Sequence, residues 1–170
     1  MKLFLGLILS GTLLFAKGSI SLEAIFKSTF SNNITVGQKI ITLTKSEMKA
    51  LQKKAKAKVD SPNIRFYVVK SGSKIEGYGV LVIQRVRTKR ATILYLIDKN
   101  EKIKSIEIIS FNEPSEYKPN TTWYTLFEGK DRNDDLRSGH GISTISGATL
   151  SARAISHASR IALEIVAQEK

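Results

Sequence analysis

At 170 residues, with 42% apolar residues, the chain is long enough for one domain with a sizeable core, and 27 Lys and Arg against 15 Asp and Glu make it strongly basic. It has no Cys and only two His, His140 and His157. That excludes disulfides, thiolate metal centres, iron–sulfur clusters and c-type haem attachment, and leaves no convincing zinc site. Redox chemistry, if any, must come from a bound organic cofactor.

Residues 1–16 read as a signal peptide. Lys2 supplies the positive start, Leu3 to Phe15 an apolar run, and Ala16 a small residue for cleavage. The run is short for a membrane span of about 20 residues, and without Cys it cannot become a lipoprotein anchor. An uncleaved anchor or a buried helix are the competing readings. The expected mature protein begins near Lys17 and works outside the cytoplasm, in the periplasm or an equivalent space.

Residues 17–62 are expected to form a helical and extended segment packed on the main domain. Leu22, Ile25, Phe26 and Phe30 predict a short helix within Ser19–Phe30 that Asn32-Asn33 breaks. Ile34, Val36, Ile40, Ile41 and Leu43 predict one or two extended pieces interrupted by Gly37. Thr44-Lys45-Ser46-Glu47 is a capping-box pattern, so a helix should run to about Lys58 with a lysine-rich outer face.

Residues 63–170 are the main domain. After Pro62 the apolar period changes to two at Ile64, Phe66 and Val68. Ser71-Gly72-Ser73 turns the chain, and Gly77-Tyr78-Gly79 starts or kinks the next strand. Tyr78, Val80, Val82 and Gln84 share one face of it, with Leu81, Ile83 and Arg85 on the other. Arg87 to Arg90 turns again, Thr92–Ile97 is a strand, and Ile103–Ile109 closes the meander. The fold class is α+β: three or four antiparallel strands with one face needing cover, which a C-terminal helix supplies. No GxGxxG follows a strand to suggest a dinucleotide unit.

Phe111 to Ser143 forms a long connection, and connections of this length tend to be functional or disordered. Its Tyr117, Trp123, Tyr124 and Phe127 argue for order, with Trp123, Leu126 and Phe127 packed inward in a short helical turn. The stretch Gly139 to Arg153 then crowds glycines and hydroxyls ahead of a helix beginning at about Thr149. Leu150, Ala154, Ala158, Ile161 and Ile165 give its apolar stripe. Arg153, His157, Arg160 and Glu164 lie on the other side, with Arg160–Glu164 as an i,i+4 pair and His157 at the surface. Free N–H groups and the positive end of the dipole make such a helix start fit for a phosphate. A plain helix capped by Ser or Thr is the equally weighted alternative.

Ser146-Gly147-Ala148-Thr149-Leu150-Ser151 resembles the flavinylation motif of the FMN-binding domain family, found in the flavin-carrying subunits of Na+-translocating NADH:quinone reductase and Rnf complexes. The resemblance covers about Tyr78 to Val166 and departs from the family at Ala152, where Ser or Thr is usual. It implies FMN held through a phosphoester to Thr149, installed by a flavin transferase. Ser146, Gly147, Ala148, Leu150 and Ser151 would surround the phosphate. Glu113 and Pro114 stand where the family has a stretch close to the flavin, here without that stretch's glycine, as in stand-alone exported members. His140, Arg132 and Arg137, near the motif in sequence, are candidates for a cation beside the ring.

The resemblance leads to an exported electron-transfer flavoprotein, with no catalytic residue of its own, linking a membrane redox complex to an extracytoplasmic acceptor. A non-redox exported binding module and a self-contained flavin-dependent reductase are the alternatives. The basic balance suits an acidic redox partner or the membrane surface, whereas export argues against nucleic acid. Equally, the lysines of residues 45–58 can simply keep the protein soluble.

Overall fold

The computed structural model describes residues 21–170, so the expected signal peptide lies outside the described residues. Ser21 caps the first helix, α1 (Leu22–Thr29), by accepting a hydrogen bond from the Ala24 N–H at 3.1 Å. The chain then enters β1 (Thr35–Thr42), a single strand that passes through Gly37 without interruption. Next comes α2 (Lys45–Ala55), which opens on the expected capping box. The Glu47 N–H donates to Thr44 Oγ1 at 3.3 Å, and the Thr44 N–H to Glu47 Oε2 at 2.7 Å. It ends earlier than expected because Lys56 turns left-handed, with φ 47°.

Four further strands follow: β2 (Asn63–Ser71), β3 (Lys74–Arg85), β4 (Arg90–Asp98) and β5 (Ile103–Phe111). Each pairs antiparallel with its chain neighbour, giving a five-stranded meander in the order β1-β2-β3-β4-β5. The sheet is therefore one strand wider than expected. β1 has little apolar alternation because it lies at the edge and is mostly exposed.

Period-two alternation sorts the side chains into two cores. Phe66, Val80, Val82, Ile93, Tyr95 and Ile97 pack under the C-terminal helix α4 (Thr149–Glu169), against Ile155, Ala158, Ile161, Ala162 and Ile165. Each fully buried Ile or Leu there contributes about 1.5–3 kcal/mol of transfer free energy. The Tyr95 hydroxyl, wholly buried, donates to the Ile155 carbonyl at 2.7 Å and ties helix to sheet.

Tyr67, Val69, Leu81, Leu94 and Leu96 face the other way and pack on Phe26 of α1. Both faces are thus covered, where one was expected. Gly77 and Gly79 make this second layer fit rather than kinking the strand. A Cβ on Gly79 would stand 2.5 Å from Phe26 Cζ, and one on Gly77 would run into the Phe30 ring.

α4 is buried more widely than its apolar stripe predicts, since Ser151, Ala152, Ser156, Ser159 and Leu163 are inside as well. It is wedged between the sheet and α2. The Arg160 guanidinium donates to the Lys56 carbonyl at 3.1 Å where α2 ends, and no Arg160–Glu164 pair forms among the described residues. His157 is half-buried there, not a surface residue.

The long connection is ordered by its aromatics. It holds a 3-10 turn at Ser115–Tyr117, the short α3 (Thr121–Tyr124) and a second 3-10 turn at Thr125–Phe127. Trp123, Tyr124 and Phe127 are buried edge to face, whereas Leu126, expected inside, is 39% exposed. Trp123 Nε1 donates to the Ser143 carbonyl at 2.9 Å, which pins the segment leading into α4.

Candidate functional site

α4 begins without a cap. Gly147 is left-handed at φ 79°, and open space lies where its Cβ would be. Ala148 stands at the cap position and has no side-chain acceptor to offer. The Thr149 hydroxyl is exposed and turns back to the Ile145 carbonyl at 3.2 Å. Only at Ala152, bonded to the Ala148 carbonyl at 3.0 Å, does the ladder of helical N–H bonds begin. The N–H groups of Thr149, Leu150 and Ser151 therefore have no acceptor among the described hydrogen bonds. A plain Ser- or Thr-capped helix is not what the chain forms.

One further polar group lies here. Ser151 is 1% exposed, and its hydroxyl has no hydrogen-bond partner among the described residues. A buried hydroxyl in that state costs about 1–3 kcal/mol. It belongs to an open trough of about 250 Å³ lined by Gly147 to Ser151 together with Arg87 and Tyr117. Those last two also line an adjoining trough of about 580 Å³ with Thr88, Lys89, Asn112, Glu113 and Pro114. Together the two troughs are of the size that holds a small molecule, ~300–1,000 Å³.

Glu113 lines the larger trough and holds the turn that carries Arg87. Its Oε1 accepts from the backbone N–H groups of Arg87 at 3.1 Å, Thr88 at 2.7 Å and Lys89 at 2.7 Å, binding the β3–β4 turn to the end of β5. The Lys89 N–H above all, with those of Thr88 and Arg87 and the Arg87 charge, holds its carboxyl below the usual range against the opposing effect of burial. The Arg87 guanidinium lies over the Tyr117 ring, 4.4 Å from its centroid.

The structure thus gathers Thr149, Gly147, Ala148, Leu150 and Ser151 around one trough and sets Glu113 and Pro114 on its neighbour. Leu150, expected in the core stripe, is instead 42% exposed at the trough. Ser146 is exposed beside it. His140 is exposed in a turn closed by its N–H on the Arg137 carbonyl at 3.1 Å, and lines neither trough. Arg137 grips Asp135 through two bonds of 2.8 and 2.7 Å, which holds the Asp135 carboxyl well below the carboxylate range and offsets the arginine charge. Arg132 is exposed and lines neither trough.

Arg87 and Tyr117 were not singled out from sequence. The signal for Arg87 was present, since Arg85-Val86-Arg87-Thr88-Lys89-Arg90 places four cations at one hairpin end. What was lacking was the meander order that brings this turn to the start of α4. Among the described residues no group of three or more His, Asp or Glu is placed to hold a metal ion.

An uncapped helix start, a buried unpartnered hydroxyl and a guanidinium over a tyrosine ring thus line one open trough of an α+β domain, a donor set chemically suited to an anion. Residues 89–164 match the model of the FMN-binding domain family, a match that supports flavin binding by this part of the chain, with FMN as the cofactor. No curated protein matches the chain.

Proposed function

We propose that the chain is an exported flavoprotein that carries FMN as a phosphoester on Thr149 and passes electrons between a membrane redox system and an extracytoplasmic acceptor. The observation that carries the reading is the buried, unpartnered Ser151 hydroxyl under the exposed Thr149 hydroxyl. With three free N–H groups beside it, this is the donor set a phosphate needs, and the residues fit the group. A bound flavin supplies one- or two-electron exchange.

The residues divide the work. Thr149 would be the acceptor: its Oγ1, which donates to the Ile145 carbonyl, would replace the leaving group on the phosphorus of a flavin-phosphoryl donor, the P–O bond to that leaving group breaking as the proton passes to a base. The base for that step belongs to the transferase. The N–H groups of Thr149 to Ser151 and the Ser151 hydroxyl take the phosphate oxygens at the positive end of the α4 dipole. Covalent attachment keeps the flavin at high effective concentration in a compartment where free FMN would be diluted.

Export rests on the sequence of residues 1–16. Lys45, Lys49, Lys53, Lys54, Lys56 and Lys58, all exposed along and just after α2, suit an acidic redox partner or an anionic membrane surface, with an attraction that salt weakens.

Co-expression with a flavin transferase tests the proposal. The expected product is yellow and heavier by one FMN less water, and Thr149→Ala loses both properties. An unmodified mass in the wild-type chain overturns the covalent reading and leaves a binding module. Fast reoxidation of the reduced protein by a small substrate without any partner protein would replace electron transfer by a reductase.

A further inference from the structure

We infer that Arg87, presented across the trough by the β3–β4 turn, is the cation that clamps the phosphate on Thr149, and that Glu113 is the residue that positions it. This rests on the flavin reading above and adds a residue that lies outside the flavinylation motif and outside the family match, which begins at residue 89.

Three observations converge on it. First, Arg87 lines the same trough as Thr149 and Ser151, although it is far from them in sequence and lies on a different element. Second, its guanidinium makes no ion pair and donates no side-chain hydrogen bond among the described residues. A nearby carboxylate exists in Glu113, yet its Oε1 is taken up by three backbone N–H groups of the turn. The guanidinium therefore has no direct partner beside the helix start, although the Glu113 carboxylate lies within reach of its charge. Third, it is anchored: its guanidinium carbon lies over the Tyr117 ring, 4.4 Å from the centroid, a cation–π contact that uses none of its N–H groups. A guanidinium anchored on a ring with its N–H groups unclaimed can take a phosphate through two parallel bonds.

Other cations near the motif do not meet these conditions. Arg137 is bound to Asp135, and neither His140 nor Arg132 lines the trough. Lys89 shares the turn but lines only the outer trough. Phosphate thus meets donors from two sides, α4 below and the hairpin turn opposite. Glu113 touches no part of the ligand in this arrangement and acts through the backbone of the turn.

Phosphorus NMR of the full chain flavinylated by co-expression tests the inference. The wild-type protein should give one phosphodiester resonance displaced from that of a free threonine–riboflavin phosphodiester. In Arg87→Ala it should move toward the free position and narrow, in Arg87→Lys it should move part of the way, and in Lys89→Ala it should stay. Glu113→Gln should move it in the same direction as Arg87→Ala although Arg87 is still present, which a merely structural role would not require. An Arg87→Ala resonance coincident with the wild type overturns the clamp while leaving the covalent reading intact. A wild-type chain with no bound phosphorus overturns both. If Arg87→Ala does not fold, the position of the Arg87→Lys resonance decides, and a coincident one overturns the clamp.

Discussion

Replacing Ser151 with alanine distinguishes a hydroxyl reserved for a ligand from one that packing merely tolerates. The side chain is 1% exposed and its Oγ has no partner among the described residues. Removing an unsatisfied buried hydroxyl should return about 1–3 kcal/mol, and the better helix propensity of alanine adds a few tenths. For a chain of this length each kcal/mol raises Tm by about 2–4 °C. The unmodified Ser151→Ala protein should therefore melt several degrees higher than the wild type. In the flavinylated protein the same hydroxyl donates to a charged phosphate oxygen, a bond with a net value of about 1.5–3 kcal/mol, so the gain should vanish or reverse. Ser156→Ala is the control. Its hydroxyl is also buried and unpartnered on α4 but lies outside the trough, so it should stabilise both forms alike. Calorimetry of the three proteins in both states measures the difference. Ser151→Ala lowering Tm in the unmodified protein, or raising it equally in both forms, would refute the reasoning.

Gly141→Ala should cost at least about 1–3 kcal/mol. The new Cβ would stand 2.7 Å from the Asp135 carbonyl carbon and collide with its oxygen, and backbone cannot give way as a side-chain tip does. Thermal melting and the flavinylated fraction by mass should fall together, because this loop leads into the segment that Trp123 pins. His157→Gln should flatten the stability profile between pH 7 and 5. Burial first, then Arg160 and Arg153, lower the His157 pKa from 6.5, with Asp60 opposing. In that range the unfolded chain binds more protons than the folded one, so His157 stabilises above about pH 6.5 and that contribution is lost as pH falls through the folded value. Urea midpoints at both pH values, wild type against variant, check the sign.

Local chemistry was the legible part of this chain. The Thr44–Glu47 capping box, the turn at Ser71-Gly72-Ser73 and the helix starting at Thr149 each follow from residues close together in sequence. Period two sorted Tyr78, Val80 and Val82 from Leu81 correctly. What sequence could not convey was which distant surfaces meet. Gly77 and Gly79 read as a strand kink because Phe26 and Phe30, the rings that need the space, lie some fifty residues away. β1 looked like fragments because an edge strand needs no apolar alternation to pair. At the site, the stretch Ser146–Ser151 leading into α4 was legible as a candidate, whereas Arg87 was not. Its role depends on the meander that carries one hairpin end over the helix start, and on Glu113 engaging the backbone there. His140 and Arg137 were attractive only by proximity along the chain.

Thr149 is the first residue of a 21-residue helix whose following turns are locked into the core. Whatever is joined to that hydroxyl has its attachment point on the body of the domain, not on a mobile arm. The polarised emission of a flavin held there should decay with the rotational time of the whole domain, without a fast wobbling component. A carrier of this design would present its cargo by turning as a unit, and a partner would have to meet it where it stands.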